Sequence, residues 1–121
     1  MKIEIVTNTV IPVEIGELQF SVDLGDESLN KMIVSYPEFQ DKINSIPGLT
    51  IAEVKEAARL VFDFFLGEGS YEKIYEKYPS ILTLKEIMQK LTTSLKEEFE
   101  NRNIDLFGPN AVGNKTDILI K

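Results

Sequence analysis

The stretch from Ile51 to Leu66 constrains this chain more than any other. Read as a helix at about 100° per residue, it places Ile51, Val54, Ala57, Ala58, Val61, Phe62 and Phe65 on one broad face. Leu60 and Phe64 widen that face by roughly a quarter turn, and only Glu53 interrupts it. Lys55, Glu56, Arg59 and Asp63 keep the narrow remainder. An apolar arc this wide calls for two burial surfaces, one inside the domain and one elsewhere. Leu60, Val61, Phe64 and Phe65 are therefore the residues expected to meet a partner. The competing reading is that neighbouring helices of the same chain cover them, as in the middle of a small bundle.

The segments on either side set the fold class. Ile3 and Ile5 alternate briefly with Lys2 and Glu4, and Pro12 fits only an edge strand or a strand end. Leu18, Phe20, Val22 and Leu24 alternate cleanly with Gln19, Ser21 and Asp23, the period of a strand with one buried face. Two or three such strands are too few to stand alone and must pack on helices.

From Asp26 the period becomes helical. Leu29, Met32, Ile33, Tyr36, Phe39, Ile43 and Ile46 hold one phase, and Val34 falls outside it. That phase runs through Pro37, which leaves either a kinked helix or two helices meeting near Ser35. Thr50 and Glu53 have the spacing of a capping box, and Gly67 the place of a left-handed stop. Ser70 is placed to cap a short helix ending before Pro79, and Thr83-Leu84-Lys85-Glu86 reads as a second capping box. The long helix after it has a narrower stripe of Leu84, Ile87, Met88, Leu91, Leu95 and Phe99. The expected architecture is α+β and mainly α: a small N-terminal antiparallel β element packed on about four helices. One domain over residues 1–102 is followed by an extended tail over 103–121, whose Ile118-Leu119-Ile120 suits addition to a sheet edge.

Composition narrows the chemistry. At 121 residues the chain is one domain by size. Cysteine, histidine and tryptophan are absent, which removes thiol chemistry and the side chain best suited to proton transfer near neutral pH. The expectation is a protein that is not an enzyme and carries no cofactor. A net charge of −7 with scattered basic residues opposes nucleic-acid binding. No run of about 20 apolar residues offers a membrane span. The opening MKIEIVTNTV lacks a signal-peptide pattern, so a cytoplasmic location is expected and the Asn114 sequon is read as chance.

Three constellations invite a chemical reading. Gly108 to Thr116 is one residue out of register with a phosphate-binding loop, because Asn114 separates Gly113 from Lys115; a polar turn is the simpler account. Asp23, Asp26 and Glu27 gather at the strand-to-helix junction. They lack calcium-loop spacing, and acids before a helix complement its positive end. No metal site is expected there, although a carboxylate-dependent metal protein is the rival of another class. Tyr71, Tyr75 and Tyr78 share a helical face with Ile74, which reads as packing rather than a stacking platform for bases.

Taken together, the strand Leu18–Asp23, the helix end Val61–Gly67, the Ser70-to-Pro79 helix and the Thr83 helix resemble the tail assembly chaperones of long-tailed bacteriophages, siphoviruses and prophages among them. The resemblance runs from Glu14 to about Asn101 and rests on length, element order and texture, so it transfers no site residue. It implies a non-enzymatic protein of the host cytoplasm. Such a protein self-associates and coats the tape measure protein until tail-tube protein replaces it. The alternative is an unrelated small adaptor or regulatory module with the same apolar helix.

Overall fold

The structure, a computed structural model, describes residues 1–5 and 7–106. The glycine-containing segment from Gly108 to Thr116 and the Ile118–Ile120 piece lie outside the described residues. Two strands are followed by four helices: β1 (Val10–Ile15), β2 (Leu18–Asp23), α1 (Asp26–Asn44), α2 (Ile51–Leu66), α3 (Ser70–Lys77) and α4 (Ile81–Asn101). The fold is thus α+β and mainly α. Contacts group the chain into two compact units, 1–89 and 90–121.

In the first unit, β1 and β2 form an antiparallel hairpin. Gly16 and Glu17 join them, with Gly16 at φ 58° and Glu17 at negative φ, the signature of a type II′ turn that matches strand twist. Ile11, Val13 and Ile15 pair with Val22, Phe20 and Leu18, which puts the apolar residues on one face. The Leu24 N–H donates to the Thr9 carbonyl at 2.6 Å. In an antiparallel ladder that bond puts Ile11, Val13 and Ile15 at bonded pairs and Pro12, opposite Ser21, at a non-bonded one. Proline is tolerated there because the missing N–H would point away from β2. Ile3 and Ile5, whose alternation hints at a strand, lie exposed and outside the sheet.

Asp23 organises the passage from β2 to α1. Its Oδ1 accepts the Gly25 N–H at 2.9 Å and its Oδ2 the Ser28 hydroxyl at 3.0 Å. Helix α1 then runs unbroken with Pro37 inside it, which decides between one helix and two. The proline deprives the Ile33 carbonyl of its partner. Both residues are exposed, so the lost bond lies on the solvent side of α1.

Helix α2 starts as its residues require. The Thr50 hydroxyl accepts the Glu53 N–H, and Glu53 accepts the N–H groups of Thr50 and Leu49. Gly67 ends it at φ 104°, ψ 153°, a positive φ but extended rather than left-handed helical. Two other caps depart from expectation. Ser70 is the first helical residue of α3 and donates its hydroxyl to the Gly67 carbonyl at 2.6 Å. The orphan Tyr71 N–H is met instead by Asp63 of α2, at 3.1 Å. Helix α4 opens at Ile81, with Ser80 accepting the Thr83 N–H at 3.4 Å, so Thr83 lies inside the helix. Both helices thus begin earlier than expected, α3 at Ser70 and α4 at Ile81.

Helix α2 packs against α1, α3 and β2, and Ala58 and Phe62 are fully buried. Tyr78, just after α3, holds the hairpin turn: its hydroxyl accepts the Glu17 N–H at 3.1 Å. Lys77 pairs with Glu17 at 3.5 Å. In the second unit Leu91, Leu95, Phe99 and Leu106 are buried. Asn103 at φ 59° closes α4, with bonds from Ile104 to Phe99 and from Asn103 to Glu100, the pattern of a Schellman motif.

Candidate functional site

The four α2 residues expected at a partner surface separate into two pairs. Val61 and Phe65 are buried, at 6% and 5% exposure, and have almost no surface to present in this fold. Leu60 and Phe64 are half-buried. What covers much of Phe64 is α1 of the same chain: the Phe39 ring stacks on it at 4.2 Å between centroids. Phe65 meets both rings edge-on, 5.0 Å from Phe64 and 5.7 Å from Phe39. Tyr36 completes the cluster, 6.1 Å from Phe64, and burial pushes its phenol pKa upward. The ridge on α2 is therefore partly used to hold α1.

The apolar surface left to solvent lies mostly elsewhere. Helix α1 spans 19 residues and buries none of them. Ile33 and Val34 are exposed along it, and Leu49 and Ile51 stand exposed at the turn into α2. The sequence carries a signal for this. Val34 breaks the apolar phase of α1, so the stripe together with Val34 is wider than one contact with α2 can cover.

Beside α1 lies an open cleft of about 430 Å³, bordered by Ser21 and Asp23 of β2, Lys31 and Met32 of α1, and Asp63 and Phe64 of α2. Its lining mixes apolar side chains with charges of both signs. The Asp23 carboxyl is held below its ordinary pKa, first by the Gly25 N–H and then by Ser28. Both of its oxygens are thus engaged in shaping the junction. Among the described residues no group of three acidic side chains is arranged to hold a metal ion.

The remaining polar groups do structural work. Tyr71 and Tyr75 stack at 5.8 Å with an interplanar angle of 7°, and the Lys55 ammonium lies 4.7 Å from the Tyr75 centroid. Its interaction with Tyr75 raises the Lys55 pKa, and the contact ties α2 to α3. Arg59 bonds Glu56 on the open side of α2, its Nε at 3.0 Å, and lowers that carboxyl's pKa. Among the described residues no helix is long and apolar enough to cross a membrane. No protein family, curated protein or solved structure matches this chain.

Proposed function

We propose that this chain is a non-enzymatic, self-associating module that shields the apolar stripe of a long helical partner. It would act in the host cytoplasm as the phage tail assembly chaperones that it resembles act on a tape measure protein. The observation that carries this reading is α1, a 19-residue helix with no buried residue. A helix held on one side by an aromatic cluster, with Ile33 and Val34 open on its flank, has a second face to give away. Apolar area covered by a partner is worth about 25 cal/mol per Å², so a few such side chains support weak contacts. Repeated along a rod, weak contacts gain strength through multivalency, and a net charge of −7 keeps the coated assembly in solution.

The test is co-expression with a tape measure protein encoded in the same genome, followed by affinity capture. The wild-type chain is expected to hold that partner in solution. Replacing Ile33 and Val34 together by Glu should abolish capture while leaving the melting temperature of the chain unchanged. Equal capture by the double variant, or none by the wild type, overturns the reading.

A further inference from the structure

The two strands of the hairpin leave two outer edges, and the edges are not equivalent. In the observed register the backbone groups of Val10, Pro12 and Glu14 point out from β1, and those of Gln19, Ser21 and Asp23 point out from β2. Pro12 blunts the first edge by removing a donor from its centre. The second keeps all its donors, and two of its residues, Ser21 and Asp23, also border the cleft beside α1. An edge whose N–H and C=O groups are bonded to no other described residue is a template for another strand.

A segment of the right pattern precedes β1. Lys2-Ile3-Glu4-Ile5 alternates with period 2, and Ile3 and Ile5 are 73% and 74% exposed, outside any strand. In an added strand the two isoleucines share one face and Lys2 and Glu4 the other. The cleft offers Met32 and Phe64 to the first face. Its own β2 edge is awkward for this segment to reach. Thr9 is tied to Leu24 and the Asn8 side chain to the Val10 N–H. From Asn8 to Ile5 the chain spans at most about 11 Å. Two strand spacings take about 10 Å, before any detour around the exit at Leu24 and Gly25.

We propose that residues 2–5 of one copy add as a third strand to the β2 edge of a second copy, with Ile3 and Ile5 seated in that copy's cleft. This deepens the self-association in the proposed function and supplies its contact.

The experiment measures association by light scattering over a concentration series for the wild type, for Ile3→Lys with Ile5→Lys, and for Ser21→Pro. The last removes an outward donor while sparing the hairpin bonds, as Pro12 does opposite it. Each variant is expected to weaken association about tenfold or more without lowering the melting temperature of the monomer. If Ser21→Pro fails to fold, the arm variant alone decides. Because the chain has no cysteine, a second readout is clean: mixed copies bearing Ile3→Cys and Ser21→Cys, one with a size tag, should form a disulfide-linked pair. Glu72→Cys in place of Ser21→Cys should not. Wild-type-like association of the arm variant, or equal cross-linking to both positions, overturns the strand addition and leaves partner shielding to its own capture test. A wild type that stays monomeric throughout overturns the strand addition and self-association together.

Discussion

The rings of Phe39 and Phe64 lie 16° from parallel with their centroids 4.2 Å apart, one on each of two helices. Helix α1 buries no residue, so this pair and its neighbours Tyr36 and Phe65 supply much of what holds it to α2. Phe64→Ala is expected to cost about 2–3 kcal/mol, below the about 3–5 kcal/mol of a fully buried phenylalanine, read from urea midpoints. The double variant with Phe39→Ala should fall short of the sum by about 0.5–1.5 kcal/mol. Amide exchange in α1 should rise more than in α3.

Gly16 and Tyr78 form a second such pair. Gly16 has φ 58°, and a Cβ built on it would overlap the Tyr78 hydroxyl. Gly16→Ala is therefore strained twice and should destabilise by about 2 kcal/mol or more. Tyr78→Phe, which removes the acceptor for the Glu17 N–H, should cost about 0.5–1.5 kcal/mol. In a Tyr78→Ala background Gly16→Ala should retain only its backbone strain, about 1 kcal/mol. Thermal melts of the full cycle check this.

Asn103 closes α4 at φ 59°, a conformation that glycine adopts without a Cβ penalty. Asn103→Gly should stabilise by about 0.5 kcal/mol, and Asn103→Val should destabilise by about 1 kcal/mol or more. The melting temperatures should order as Gly, Asn, Val.

The depressed pKa of Asp23 sets a pH dependence with a definite sign. A carboxylate favoured in the folded state adds stability above its ordinary value of 3.8. That contribution is lost as the pH falls through the lower folded value. The wild type should melt above Asp23→Ala at pH 7, and the gap should narrow steadily below about pH 4.

Much local chemistry was legible where its partners lie within a turn of helix or along one strand, but not the start of α4, which is capped by Ser80 rather than Thr83. The Thr50–Glu53 box, the alternation from Leu18 to Asp23 and the stop before Pro79 all appear where the residues place them. The cap of α3 was not legible, because its acceptor, Asp63, belongs to another helix. The four α2 residues expected to meet a partner show the same division. Their shared apolar arc is a property of helical spacing, whereas the burial of Val61 and Phe65 and the half-cover of Phe64 depend on where the neighbouring elements come to rest.

What the chain determines by itself is most of its list of elements and their apolar faces, since these follow from periodicity and from hydrogen bonds made within a few residues. Only the tertiary structure decided which of those faces is used up. It covered α2 with α1, α3 and β2 and left α1 without a buried residue. It also set Ser21 and Asp23 beside a cleft. Burial is a property of pairs of surfaces, and a one-dimensional pattern names a surface without naming what will meet it.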